Sequence, residues 1–202
     1  MCCIAPVPRP VFYFDFNSPY AYLAAERIGG LIPEAEWRPI AFPIVLQQLG
    51  RLEQVLERDF PNVLPIVRER AAGRGLPPVE PPPGWPIETW SLGPLRAAVF
   101  AGDQGRGPDF ARAAFRQVFV ESRSLSDPGV LGDAAGEAGL DRAEVAEAIQ
   151  RPDIKERLKE HTNAALERGV TGIPTVEIGD ELFWGDDHLE EARAAVRLDL
   201  RG

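Results

Sequence analysis

FYFDFNSPYAYLAA, residues 12–25, changes its period halfway along, and the fold turns on how that change is read. Residues 11–16 are aromatic or β-branched except for Asp15, with no regular polar alternation. That pattern marks a strand buried on both faces, as at the centre of a parallel or mixed sheet. Asn17 or Ser18 then supplies an N-cap, and Pro19 the first helical position, where a missing N–H costs nothing. The YAYLAAERI that follows reads as a helix ended by Gly29 and Gly30. Ser18 thus sits where a strand gives way to a helix, and two readings of it stand side by side. It is a plain helix cap, or its hydroxyl also meets an anion, such as a thiolate, held at the helix's unpaired N–H groups and positive end.

Outward from this junction, EWRPIAF, residues 36–42, reads as a second strand, placed at a sheet edge by Pro39. The chain therefore opens as strand, helix, strand. From Pro43 to Gly169 no strand signal persists, and apolar residues recur at helical spacing. Helices are expected over 44–57, 61–72, 93–101, 108–121, 128–138, 142–150 and 154–168. Among them GRGLPPVEPPPGWP, residues 73–86, holds too many prolines for helix or central strand and is expected to be an extended loop. After Gly169, PTVEI and ELFW flank Gly179 and Asp180 as the strands of a hairpin, and HLEEARAAVRL closes the chain as an amphipathic helix. The order is that of an α/β protein with a thioredoxin-like fold, split by a large all-helical insertion between its βαβ and ββα halves. Residues 11–43 and 169–202 make the thioredoxin-like domain, and 44–168 the helical insertion.

With 202 residues, 45% hydrophobic and 26% charged, the chain suits one well-buried core and neither disorder nor a fibrous repeat. No run approaches the roughly 18 apolar residues of a membrane span. The opening MCCIAPVPRP lacks a basic leader followed by an apolar stretch, so a cytoplasmic protein is expected. A net charge of -9, from 31 acidic against 22 basic residues, argues against nucleic acid or an anionic membrane as partner. Cys2 and Cys3 are the only cysteines and His161 and His188 the only histidines, so a zinc site would rest mainly on carboxylates, and no metal is expected.

Two further places join Ser18 as candidates for chemistry. One is Ile173-Pro174, just before a strand. The other is WGDDHLEE, where Glu190 follows Asp187 at the spacing of a capping box. Asp186, Asp187 and the helix start there also make a place for a ligand end that carries both ammonium and carboxylate. Asp15 is read as satisfied by turn N–H groups in preference to a proton relay. Tyr20 and Trp85 are candidates for an aromatic wall against a planar substrate, with Tyr22 and Trp90 assigned to core packing.

FYFDFNSPYAYLAA, taken with TNAALERGVTGIPTVEIGDELFWGDDHLEEA, resembles the 2-hydroxychromene-2-carboxylate isomerase family, relatives of the kappa-class glutathione transferases and of the disulfide oxidoreductases. The match is dense over 11–25 and 161–191, looser over 70–100 and poor over 45–67. The resemblance implies a homodimeric, glutathione-dependent isomerase acting on a small aromatic electrophile through a transient thiol adduct. It implies glutathione, or another low-molecular-weight thiol, as cofactor. Ser18 would face the thiol, Ile173 before a cis-Pro174 would pair with the cysteinyl unit, and Trp184, Gly185, Asp186 and Asp187 would hold the γ-glutamyl end. A kappa-class-like transferase and a thiol-binding protein without catalysis are the alternatives on the same fold. The disulfide oxidoreductases start this helix with Cys-x-x-Cys, where this chain has Ser18 and Ala21, so dithiol exchange at this site is excluded.

The chain departs from the family on the substrate side. The isomerases usually carry a Lys and an Asn in the segment corresponding to 47–62, and QQLGRLEQVLERDFPN has no Lys and no clearly aligned Asn. His188 stands where the family favours Arg, and Glu88 where it favours Asn. These changes weigh against an anionic aromatic carboxylate as substrate.

Overall fold

The computed structural model of the chain describes residues 9–199, so Cys2 and Cys3 lie outside the described residues. At its centre is a four-stranded sheet of order β2-β1-β3-β4, made of β1 (Val11–Phe14), β2 (Glu36–Pro39), β3 (Thr175–Ile178) and β4 (Glu181–Trp184). β1 runs parallel to β2, with Val11 beside Glu36, and antiparallel to β3, with Tyr13 beside Thr175. Every residue of β1 is buried, as its unbroken apolar run requires. β2 is the edge strand that Pro39 called for, but it is shorter than expected. Pro39 has no N–H to extend the ladder, and the chain is helical again from Phe42. β3 and β4 form the expected hairpin, with Ile178 beside Glu181.

Helix α1 (Pro19–Leu31) begins at Ser18, whose Oγ accepts the Ala21 N–H at 3.2 Å. Contrary to expectation it passes through Gly29 and Gly30. Buried Ile28 and Ile32 hold its last turn, the Ile32 N–H donating to the Ile28 carbonyl at 2.7 Å, and offset a glycine cost of about 1 kcal/mol each.

The middle of the chain is helical: α2 (Phe42–Gln48), α3 (Leu52–Gln54), a π-helical turn (Val55–Asp59), α4 (Phe60–Gly73), α5 (Leu92–Asp103), α6 (Gly107–Phe119), α7 (Pro128–Glu137), α8 (Arg142–Ala148) and α9 (Pro152–Glu167). α10 (Leu189–Asp199) follows the hairpin. The single helix expected over 44–57 is broken. Gly50 adopts a left-handed φ of 65°, which lets the Arg51 N–H donate to the Leu46 carbonyl at 2.8 Å and the Gly50 N–H to that of Gln47 at 3.1 Å. Those two bonds are the Schellman termination of a helix, and α3 restarts directly beyond it.

The aromatic run of β1 docks onto α6. Phe14 and Phe16 meet Phe115 at ring-centroid separations of 5.8 and 5.0 Å, and Tyr22 of α1 meets Phe119 at 5.6 Å. On the other face of the sheet Val11 and Tyr13 pack with Ile40, Val45 and Ala165. Tyr22 is a core residue as expected. Trp90 is not: it is 70% exposed, in the irregular stretch before α5, with its N–H bonded to Ser126 Oγ. Among the described residues no helix is long and apolar enough to cross a membrane.

Candidate active site

A cleft with about 230 Å³ of free volume opens where β1 ends and α1 begins. Its floor is Asp15, Asn17 and Ser18, one wall is Ile173 and Trp184, and the facing wall is apolar, from Phe42, Leu46, Leu52, Val55, Leu56 and Val63.

Asp15 is wholly enclosed. Its Oδ1 accepts the Asn17 N–H at 3.0 Å, and its Oδ2 accepts the Phe42 N–H at 3.1 Å and the Ser91 hydroxyl at 3.2 Å. Of the turn N–H groups expected to satisfy it, only that of Asn17 does so; the other two donors come from the starts of α2 and α5. Burial pushes its carboxyl up to about 6, although all three donors pull the other way. Asn17 clamps the loop above: its Nδ2 donates to the Thr89 carbonyl at 3.0 Å, and the Thr89 hydroxyl donates back to its Oδ1 at 2.9 Å. That clamp brings Pro86, whose bond from Trp85 is cis, to the cleft. Trp85 itself turns to the core, edge-on to Phe119 at 5.9 Å, so the aromatic wall beside Tyr20 is continued by Pro86.

Ser18 is anchored by its N–H on the Asp15 carbonyl at 3.0 Å and by the cap bond. Its oxygen accepts, while among the described residues its proton is donated to nothing. The Tyr20 N–H beside it lies in the first turn, where no intrahelical acceptor exists.

The Ile173–Pro174 bond is cis. Ile173 lines the cleft, and neither its N–H nor its carbonyl makes a hydrogen bond among the described residues. Trp184, 60% exposed, lies across Gly172, where any Cβ would collide with the indole. Gly185 follows with φ 111°, its N–H bonded to the Pro174 carbonyl at 2.9 Å.

The two acids after it behave differently. Asp186 is fully buried and its carboxylate is taken by Arg70 of α4, at 2.5 Å, and by Arg74 from the turn just after that helix. Arg27 adds a bond to its carbonyl at 2.9 Å. Asp187 is half exposed and pairs with Arg70 at 3.1 Å. Burial pushes the Asp187 carboxyl up, but backbone N–H bonding and the Arg70 charge outweigh it and hold the group below the usual range. The capping box expected from Asp187 and Glu190 is not formed. α10 starts at Leu189, and the Glu190 carboxylate turns to Arg27. Arg70 also lies over the Tyr20 ring, 5.5 Å from its centroid, while burial raises the Tyr20 pKa.

Residues 11–197 match the family described as the DSBA-like thioredoxin domain. The chain belongs to that family. Among curated relatives, a 2-hydroxychromene-2-carboxylate isomerase of Sphingobium xenophagum is 29% identical over 89% of this chain and 93% of its own. One of Pseudomonas putida is 26% identical over 92% of each. The solved structure of a 2-hydroxychromene-2-carboxylate isomerase superposes with a TM-score of 0.81 at 25% identity, covering 95% of this chain and 96% of that one. Ser18, Tyr20, Ile173 and Trp184 meet in one cleft, whereas Pro174, Gly185, Asp186, Asp187 and Trp85 are not among the residues that line it. Two features escaped sequence reasoning. Arg51 lines the cleft, flagged only by the glycine before it. Arg70 and Arg74 neutralise Asp186, flagged only by their spacing of one helical turn.

Proposed function

We propose that this chain is an isomerase of the 2-hydroxychromene-2-carboxylate type that works with a bound low-molecular-weight thiol, glutathione first among them, on a small aromatic electrophile. The observation that carries this is Ser18, which caps α1 with its oxygen and keeps its proton for an anion at the helix's positive end. The isomerase relatives that span almost the whole chain support the reaction class.

The residues present fit a peptide-like thiol. Ile173 offers a backbone N–H and carbonyl that are unpaired among the described residues and lie in the same cleft as Ser18, and buried backbone groups need such partners. Trp184 covers that edge. Asp187, whose one ion pair among the described residues is with Arg70, is the acid that would meet an amino-acid end, since Asp186 is held by two guanidinium groups. The chemistry a bound thiol supplies is reversible addition to an activated carbon–carbon double bond, which frees rotation about it. Ser18 donates a hydrogen bond to the sulfur anion and lowers the thiol pKa, the Tyr20 N–H and the helix end add to that field, and the apolar wall keeps water from it.

Calorimetry with glutathione and thiolate absorbance, on wild type, Ser18→Ala and Ser18→Asp, test this together. Ser18→Ala should lose about 1 kcal/mol of stability with the cap and also lose the acidified thiol. Ser18→Asp should keep the cap and still lose the thiolate, because a carboxylate accepts without donating. A wild type that binds no thiol overturns the proposal, and a thiol pKa unchanged in both variants reduces Ser18 to a cap.

A further inference from the structure

Arg51 is the only cationic side chain among the described residues that line the cleft. The other charged lining residue, Asp15, has both oxygens engaged by the Asn17 and Phe42 N–H groups and the Ser91 hydroxyl. The Arg51 guanidinium has no ion pair and no hydrogen bond among the described residues. Its half-buried position sets it against the aliphatic wall of Leu46, Leu52, Val55 and Leu56. By contrast the arginines around Asp186, outside the lining, are engaged, Arg70 and Arg74 by Asp186 and Arg27 by Glu190.

Its backbone is also fixed. The Schellman bonds around left-handed Gly50 pin the Arg51 N–H to Leu46, and the Val55 N–H returns to the Arg51 carbonyl at 3.0 Å. A guanidinium stays charged at all relevant pH, and its planar fork matches a carboxylate at two points. An apolar wall beside it lowers the local dielectric and strengthens such a pair relative to water. The chain as a whole carries a charge of -9, so attraction of an anion to this cleft has to come from local groups, the positive end of α1 on the Ser18 side and the Arg51 guanidinium on the other.

We infer that Arg51 is the substrate-anchoring residue of this cleft and that it takes the carboxylate of an aromatic acid whose ring lies on the Leu46–Leu56 wall. This rests on the cleft being the substrate site of the isomerase proposed above. It restores the anionic substrate that the missing Lys argued against, through a residue placed by a turn and not by the family's pattern.

The test uses the full chain and two pairs of probes. 2-Naphthoate and 2-naphthamide share a ring system and differ in charge, so their binding, followed by calorimetry, isolates the anchor without any turnover. Wild type should hold the naphthoate about tenfold more tightly than the amide. Arg51→Gln should lose that preference and leave the amide within about twofold, and Arg51→Lys should recover part of it. Equal affinity of wild type for the two probes, or no binding of the naphthoate, overturns the inference without reference to any variant. Isomerisation of 2-hydroxychromene-2-carboxylate in the presence of glutathione is followed in parallel, with KM and kcat separated. Arg51→Gln should raise KM about tenfold with kcat little changed. A wild type that prefers the naphthoate but isomerises nothing keeps the anchor and removes the isomerase. A wild type that isomerises while Arg51→Gln keeps its KM does the reverse.

Discussion

Asp15 carries a buried charge with three neutral donors and no cation beside it. Hydrogen bonds of that kind soften the loss of water but do not replace it, so the protonated form is favoured in the folded chain. Its pKa rises from 3.8 to about 6, and the folded protein therefore binds this proton more tightly than the unfolded one. The sign follows: the stability gained from that proton is fully present below 3.8 and is lost as pH rises through about 6. Asp15→Asn has no such titration. It loses a bond instead, because one acceptor oxygen becomes an amide that must face the Phe42 or Asn17 N–H. Urea titrations across that window should show the wild-type advantage over Asp15→Asn shrinking by about 3 kcal/mol as pH rises. Parallel profiles for the two proteins would mean that Asp15 is hydrated in solution. At this scale the sequence was informative where a single residue type has few uses. Ser18 before a proline could be read as a cap, but which partners surround Asp15 depended on Phe42 and Ser91, distant in the chain.

Helix α4 is fastened to the turn before α10 by charge. Arg70 and Arg74 lie one helical turn apart and converge on Asp186, which has no access to water. A buried carboxylate with one guanidinium left is still paired, whereas one with none is stranded at a cost of about 3–5 kcal/mol. Arg70→Gln and Arg74→Gln should therefore be modest singly and should together cost more than their sum, as read from urea melts of the four proteins in a double-mutant cycle. Additivity within about 0.5 kcal/mol would show that the two arginines act separately. The same cluster explains why Asp186 looked like a ligand group from sequence. An acid pair before a helix signals an amine as readily as an arginine, and only the packing of α4 decides. Residues 44–57 failed for a related reason: the apolar spacing is helical on both sides of Gly50, and the break that brings Arg51 to the cleft is a matter of one φ angle.

Across the whole molecule, the elements legible in the sequence are those that bury a face with their own period. β1, α1, the hairpin and the helices from α5 to α9 all fall in that group, and their order was enough for the fold. The apolar wall of the cleft runs through a glycine break and a π-helical turn, Val55–Asp59, where no constant period exists to be seen. What joins the two kinds of structure is the aromatic column from Phe12 and Trp37, 4.9 Å apart, through Phe14 and Phe16 to Phe115 and Phe119. Phe115 is fully buried and touches rings from the end of β1, from α1 and from its own helix. Phe115→Ala should cost about 3–5 kcal/mol, since the rings around it belong to different elements and cannot all close on the gap. Far-UV dichroism reports mainly the helices of the middle segment, while tryptophan fluorescence includes Trp37 on the sheet. Because the column ties both to one core, the two signals should move to the same lower midpoint in this variant. Separate midpoints, with the helical signal shifted and the fluorescence unmoved, would show that the sheet stands without the helices packed on it.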